Sequence, residues 1–346
     1  MKILYLYSEV MGYTMSTVKE LINQNYEVHI VNWDKNQQVP MKLKETEGVT
    51  FYPRSKLNYK EIINLGKKIS PCMIVVSGWQ DLGYLPAALY FNSKNIPVIA
   101  GFDDQWKGSF RQKIATSFSY IVRKFFSHAW VSGLYQYEYA KKFGFKNNQI
   151  IYDLYSADIN LYSKFYEKKS EQIDSYPKRF LFVGRFENVK AMDILLDAWK
   201  LIEFNRNGWE LHFIGNGSLK NKLSQENGII VSDFMQPNEL VKEIPKTGCF
   251  ILPSRHEPWG VVVHEFATAG IPLICSEAIG AASTFLINNF NGFIFKNNNS
   301  NDLAKKMLKI ISSTDKELFE MSENSFELGK RITPLSSAKN LLSVLD

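Results

Sequence analysis

Residues 248–275 read Gly248-Cys249-Phe250-Ile251-Leu252-Pro253-Ser254-Arg255-His256-Glu257-Pro258-Trp259-Gly260-Val261-Val262-Val263-His264-Glu265-Phe266-Ala267-Thr268-Ala269-Gly270-Ile271-Pro272-Leu273-Ile274-Cys275. An apolar run over 248–252 enters a polar loop, a helix-period segment over 259–269 leaves it, and a second apolar run follows at 271–275. Short apolar runs joined by a helical segment are the mark of a βαβ unit in a parallel sheet. Pro258 suits a first helical turn. Gly260 lets a ligand approach the backbone closely. The N–H groups near Trp259, Gly260 and Val261, at the positive end of the helix, favour an anion such as a diphosphate. Glu257 lies in the loop and Glu265 about two turns along the helix, where carboxylates can accept hydrogen bonds from sugar hydroxyls. Spacing alone leaves a second reading open, in which Glu257 is a helix-start carboxylate and Glu265 a solvated one.

Outward from this unit the alternation continues. Upstream in the same half, strands are predicted at 179–183, 209–214 and 228–231, and helices at 190–201, 217–224 and 237–243. Downstream, helices are predicted at 281–287 and 301–312, then near 315–330 and 335–345 without a strand between. The N-terminal half repeats the pattern, with strands at 2–7, 26–31, 72–76, 97–100 and 129–132 and helices at 14–24, 58–69, 81–92, 110–126 and 134–143. The polar, charged stretch 163–178 reads as the linker between the halves. The expected organisation is α/β throughout: a Rossmann-like domain over 1–165, a second over 166–330, and a C-terminal helix over 331–346 returning to the first. Two doubly wound domains facing across a cleft would put ligands at the strand–helix loops.

Two further loops carry chemistry. Val183-Gly184-Arg185-Phe186-Glu187-Asn188-Val189-Lys190 places two cations, Arg185 and Lys190, after a buried-looking strand, where they suit phosphate oxygens. Phe213-Ile214-Gly215-Asn216-Gly217-Ser218 is half of a dinucleotide fingerprint. It says that backbone must turn tightly or approach a ligand near Gly215. No complete Gly-x-Gly-x-x-Gly follows the first strand, which disfavours a dinucleotide dehydrogenase.

Composition bounds the rest. The chain has 346 residues, 45% hydrophobic and 22% charged, a globular balance. Lys plus Arg is 41 and Asp plus Glu is 35, a net charge of +6. That is too mild for a nucleic-acid partner but suits an anionic ligand or an anionic membrane surface. Cys72, Cys249 and Cys275 lie far apart in apolar runs, as buried thiols of a reducing compartment do. No stretch approaches the ~18 apolar residues of a membrane helix, and the N-terminus reads as a strand and not a signal peptide. The expectation is a cytoplasmic protein, with peripheral contact at the cytoplasmic face of the membrane through 110–126 as one option. There Ile114, Phe118, Ile121 and Phe125 recur at helical spacing beside Arg111, Lys113, Arg123 and Lys124. The competing option packs that stripe on the domain's own sheet. No His/Cys/Asp set has metal spacing, so neither a metal nor a cofactor is expected.

Taken together, the three loops resemble the donor domain of family 4 glycosyltransferases, which have the GT-B fold. The matching stretches are Phe182-Val183-Gly184-Arg185 with Lys190, Phe213-Ile214-Gly215-Asn216-Gly217, and Pro253 through Pro272. The last holds a Glu-x7-Glu spacing from Glu257 to Glu265 and a trailing Ala269-Gly270-Ile271-Pro272; Asn291-Gly292-Phe293 fits a later signature. The resemblance implies that Arg185 and Lys190 hold a donor diphosphate, that Glu257 holds the transferred sugar and that Glu265 binds ribose. It implies retaining transfer from a nucleotide diphosphate sugar, UDP-linked in preference to GDP-linked, to a glycan or lipid-linked acceptor in cell-surface polysaccharide synthesis. A nucleotide-sugar epimerase and a non-catalytic sugar-nucleotide-binding scaffold are the alternatives. The first half follows the family less closely. Its glycine-rich first loop is reduced to Gly12, and Gly101-Phe102-Asp103-Asp104 stands where relatives often carry a His. Asp103 or Asp104 is then the candidate binding or acid–base carboxylate, unless both are ordinary loop aspartates.

Overall fold

A computed structural model describes residues 1–35, 45–172 and 175–346. They divide into two compact units, Met1–Ser156 with Ile332–Asp346, and Ala157–Arg331.

In the first unit β1 (Lys2–Tyr7), β2 (Glu27–Asn32), β3 (Val49–Pro53), β4 (Met73–Val76), β5 (Val98–Phe102), β6 (His128–Val131) and β7 (Ile150–Ile151) form one sheet. Its order is β3-β2-β1-β4-β5-β6-β7, and every pairing is parallel. The helices are α1 (Gly12–Asn23), α2 (Tyr59–Ile69), α3 (Leu85–Asn92), α4 (Phe110–Ser117), α5 (Ser119–Phe125) and α6 (Leu134–Lys142). Strand β1 shows why the sheet is covered on both faces. Leu4 and Leu6 enter one core, with Phe91 and Phe102, while Ile3 and Tyr5 enter the other, with Val18 and Leu21 of α1. The period of two along the strand does this, and a parallel sheet needs both faces buried.

Sequence reading missed β3. It is an edge strand paired with β2, half-exposed and ending on Pro53, so it lacks a continuous apolar run. It also read 110–126 as one helix, whereas the chain breaks between α4 and α5 at Phe118. The hydroxyls of Thr116 and Ser117 bond back to the carbonyls of Gln112 and Lys113, a contact that competes with the helical ladder.

The second unit opens with α7 (Ile159–Gln172). This corrects the predicted linker 163–178, of which 173–174 lie outside the described residues. Among its charges the segment carries an aromatic pair one turn apart: Tyr162 is buried, and Tyr166 stacks on Phe326 at 4.0 Å. The sheet then takes β8 (Arg179–Val183), β9 (Glu210–Ile214), β10 (Ile230–Ser232), β11 (Cys249–Leu252), β12 (Leu273–Ser276) and β13 (Gly292–Phe295), in the order β10-β9-β8-β11-β12-β13, again all parallel. Helices α8 (Met192–Leu201), α9 (Lys220–Leu223), α10 (Pro237–Leu240), α11 (Val261–Thr268), α12 (Ala282–Phe285), α13 (Ser300–Ser312) and α14 (Asp315–Gly329) complete it. The expected strand 271–275 starts later, at Leu273, and β13 was not expected, because its apolar run is short and opens on a glycine. The last helix, α15 (Pro334–Leu342), belongs to the first unit. Its Ala338 and Leu341 join the core under α1, and Ser337 Oγ lies 3.2 Å from Thr17 Oγ1.

Both sheets are doubly wound. The winding reverses between β1 and β4 in one and between β8 and β11 in the other, which makes the loops after these strands the natural ligand positions.

Candidate functional site

In the second unit the loops after β8, β9 and β11 carry the predicted residues. Phe186 is fully buried and anchors the first loop, and its neighbour Arg185 is exposed. No hydrogen bond or ion pair holds the Arg185 guanidinium among the described residues. A short turn, Asn188–Lys190, follows and brings Lys190 against the β11 loop.

The glycines of the second loop are explained by backbone contact. A Cβ on Gly215 would stand 1.9 Å from the Gly184 carbonyl, and one on Gly217 would stand 2.7 Å from the Phe186 carbonyl. Hydrogen bonds from Gly184 N to Ile214 O and from Phe186 N to Asn216 O hold the two loops together. Gly215 therefore shapes the ground beneath Arg185.

The third loop holds the strongest electrostatic feature. Lys190 Nζ and Glu257 Oε2 form an ion pair, with side chains only 16% and 15% exposed. Breaking a pair so largely withdrawn from water is costly, because the desolvation of both charges is offset in part by their attraction. Arg255 fixes the same loop from its other side, by an ion pair to Asp193 of α8 and a hydrogen bond to the Asn188 carbonyl, both at 2.5 Å. The loop is also stitched to the segment after β12. Gly280 N donates to Glu257 O, and Ala281 N to Trp259 O. Gly260 has φ +90, and a Cβ there would lie 2.8 Å from Glu257 Cγ, so glycine alone lets the carboxylate take its place. No side chain caps α11, whose first residue is Val261. Val263 N donates to the Gly260 carbonyl at 3.0 Å, and the positive end of the helix stands beside the Lys190–Glu257 pair.

Glu265 sits on α11, half-buried, and hydrogen-bonds with the Tyr162 hydroxyl of α7. Burial pushes its pKa up from 4.5 to about 7, opposed by Tyr162 and reinforced by the nearby Asp158 carboxylate. It is not joined to Lys190 or Glu257 by any hydrogen bond or ion pair among the described residues. Tyr162 was missed from the sequence because it fell at the edge of a stretch read as linker.

His264, between the two glutamates' neighbours, is structural. Ala157 N donates to its Nδ1 at 3.0 Å, so the proton is on Nε2, which donates to the Gly329 carbonyl at 2.8 Å. The ring stacks on Phe285 at 4.0 Å. His264 thus ties α11 to the first and last stretches of the second unit.

In the first unit, Asp103 follows β5. Tyr155 donates to its Oδ2 at 3.2 Å, and Gln136 donates to its carbonyl at 3.0 Å. Water reaches the side chain, yet the protein packed around it raises the pKa, against the Tyr155 hydrogen bond and with the Asp104 charge adding to the rise. Asp104 instead accepts from Gln105 N in its own loop at 2.9 Å. The geometry therefore separates two aspartates that sequence could not. Tyr13 meets Tyr155 edge-on at 4.9 Å, one residue beyond Gly12, which opens α1. Among the described residues no group of three or more His, Cys, Asp and Glu is placed to hold a metal, and no helix is long and apolar enough to cross a membrane.

Comparison with known proteins bears on this arrangement. Residues 163–327 match the family described as glycosyl transferases group 1, and residues 2–129 match glycosyl transferase 4-like. An uncharacterized glycosyltransferase of Methanocaldococcus jannaschii is 30% identical over 161 residues, covering 44% of this chain and 43% of its own length. The poly(ribitol-phosphate) alpha-N-acetylglucosaminyltransferase of Staphylococcus aureus is 24% identical over 156 residues, covering 41% of this chain and 31% of its own. These curated relatives are thus matched over less than half of their own length. Among solved structures, Anabaena HepE in complex with UDP-glucose superposes with a TM-score of 0.72 at 15% identity, covering 100% of this chain and 99% of that one. Two parallel Rossmann-like sheets and this likeness show a two-unit α/β GT-B fold, and the two matched segments, 163–327 and 2–129, are similar to the two halves of GT4-like glycosyltransferases.

Proposed function

We propose that the protein is a retaining glycosyltransferase that moves a sugar from a nucleotide diphosphate sugar to a hydroxyl of a glycan or lipid-linked glycan, in cell-surface polysaccharide synthesis. The observation that carries this reading is the Lys190–Glu257 pair set beside the uncapped start of α11. A cation and a helix N-terminus are what a departing diphosphate needs, and a fixed carboxylate is what a sugar's hydroxyls need. UDP is the favoured nucleotide, in keeping with the UDP-glucose bound by the Anabaena relative.

In this reading the second unit binds the donor. Arg185 and Lys190 take the diphosphate oxygens, with the N–H groups at Gly260 and Val261 completing the cradle. Glu257, released in part from Lys190 when phosphate arrives, orients the transferred sugar. Glu265 accepts from the ribose. The bond from the acceptor oxygen to the anomeric carbon forms on the face the diphosphate leaves. The bond from that carbon to the diphosphate oxygen breaks, and the acceptor's proton passes to the departing phosphate. The first unit binds the acceptor, with Asp103, steadied by Tyr155, taking one of its hydroxyls, and Gly12 letting the first loop lie close to the ligand.

The test is incubation with UDP- and GDP-sugars and a panel of glycan acceptors, following nucleotide release and the anomeric configuration of the product. Acceptor-dependent release with the donor's configuration kept is the expected result. An inverted product removes the retaining mechanism. A donor that is only reshaped makes the protein an epimerase, and a donor left intact makes it a binding subunit.

A further inference from the structure

We propose that the α4–α5 face of the first unit is a docking surface for an anionic lipid bilayer. Of the apolar stripe of this segment only Phe125 packs on the domain's core; Ile114, Phe118 and Ile121 turn outward, unlike the inner face of an ordinary α/β helix. Phe110 is 80% exposed, Phe118 51%, Ile114 46% and Ile121 38%. The core contact is made instead by Ala115, Val122 and Phe125, which pack against the buried cluster around Phe91 and Phe102, and by the buried Gln112. Gln112 accepts from Lys107 N at 2.8 Å and donates to the Gln105 carbonyl at 2.7 Å. The helices are therefore held firmly by one side, while large apolar side chains stand in water on the other. Such a contiguous exposure marks an interaction surface.

Charge identifies the partner. Arg111, Lys113, Arg123 and Lys124 are all exposed on the same two helices. None forms an ion pair among the described residues. No Asp or Glu occurs between Asp104 and Glu138. A second copy of the chain seated here by two-fold symmetry would bring these four cations against the same four. A bilayer with anionic headgroups neutralises them and takes the phenylalanine and isoleucine side chains into its acyl boundary. The break at Phe118 suits this use, because it lets two short helices follow the surface from a common corner. The inference does not depend on the transfer reaction, and its test needs no turnover.

The experiment is co-sedimentation of the full chain with vesicles of phosphatidylcholine alone and of phosphatidylcholine mixed with phosphatidylglycerol in equal parts. Wild type should partition onto the mixed vesicles, leave phosphatidylcholine alone, and be released by added salt. R123E/K124E should lower partitioning at least about tenfold, since each basic residue near an anionic surface contributes and reversal also repels. F118S should weaken it comparably. Circular dichroism of both variants should match wild type. Should either variant misfold, the salt dependence of the wild type carries the test alone. Absence of binding to mixed vesicles overturns the proposal, as does binding that neither salt nor either folded variant changes. A wild-type dimer that F118S converts to a monomer would assign the face to a second copy of the chain.

Discussion

The two sheets wind in the same order about their first strands, yet their carboxyl edges are built from different materials. In the second unit the edge is tied by charge: Lys190 to Glu257, Arg255 to Asp193, and Glu187 accepting from Ser218 N and Oγ at 3.1 and 2.8 Å. In the first unit it is tied largely by neutral groups and rings. Ser8 Oγ donates to Gln80 at 2.8 Å, Tyr84 donates to the Tyr7 carbonyl at 2.9 Å, and Trp79 stands edge-on to Phe102 at 5.5 Å. The ion pair at that edge, Arg54–Asp81, fixes a loop and also takes the Trp33 indole N–H. An edge of preset charges suits one charged ligand of constant shape. An edge of hydroxyls and aromatic faces suits a neutral, polyhydroxyl one.

The contrast breaks first at Glu257 and Lys190. Glu257→Gln should lower turnover by about 100-fold or more, as loss of one preorganised transition-state group does, with nucleotide affinity changed far less. Lys190→Ala should lower both. Steady-state kinetics beside nucleotide titration reads the split. If Glu257→Gln weakens nucleotide binding as much as turnover, the carboxylate addresses the nucleotide and not the sugar. Each variant should also melt at a lower temperature, because each removes one member of an ion pair that is largely withdrawn from water.

Arg185→Ala comes next. It removes a charge-assisted contact worth about 1.5–3 kcal/mol to a bound phosphate, so donor use should fall by roughly 10- to 150-fold. The fold should be untouched, since the exposed guanidinium makes no hydrogen bond or ion pair among the described residues. A variant with wild-type turnover places the diphosphate away from this loop.

Asp103→Asn sharpens the contrast from the other side. The amide still accepts from Tyr155, so the loop should keep its shape, while the charge that would grip an acceptor hydroxyl is gone. The acceptor KM should rise by about tenfold, near the lower end for a hydrogen bond to a charged group. The donor KM should stay constant. A donor KM that moves instead would mean that Asp103 reaches the donor sugar.

The difference between the edges also explains what could be read without coordinates. The charged loops of the second unit stood out because charge and glycine at fixed spacing have few physical uses, as at Arg185, Lys190, Glu257, Gly260 and Glu265. Even so, sequence could not say that Gly215 serves a neighbouring carbonyl, because that contact joins strands brought together only by the fold. The corresponding edge of the first unit was less legible because its parts are common residues. Nothing in Asp103-Asp104 tells which carboxylate meets Tyr155, a residue far along the chain. Helix α7 was hidden by the many charged and polar residues in its sequence, and the outward turn of Ile114 and Phe118 ran against the option in which that helical stripe covers its own sheet.

The smallest effect expected is a titration, and it belongs to Glu265. Its pKa of about 7, raised from 4.5, means that the native protein holds this proton more firmly than the unfolded chain does. The stability contributed is therefore complete below about 4.5 and is lost as pH rises through about 7. Ligand binding should run the other way. A carboxylate accepts two hydroxyl hydrogen bonds, whereas the protonated acid keeps a proton directed at one of its partners. If Glu265 accepts from the ribose, nucleotide affinity should rise with the ionised fraction, by roughly threefold between about pH 6.5 and 7.5 for a group of this pKa. Glu265→Gln should flatten that slope at a reduced affinity and should also flatten the pH dependence of the melting temperature over the same window. Calorimetric titration of UDP at several pH values reads the first and thermal melts read the second. A wild-type affinity that does not change across pH 7 would mean that Glu265 is spent on Tyr162 and that the nucleoside is held elsewhere.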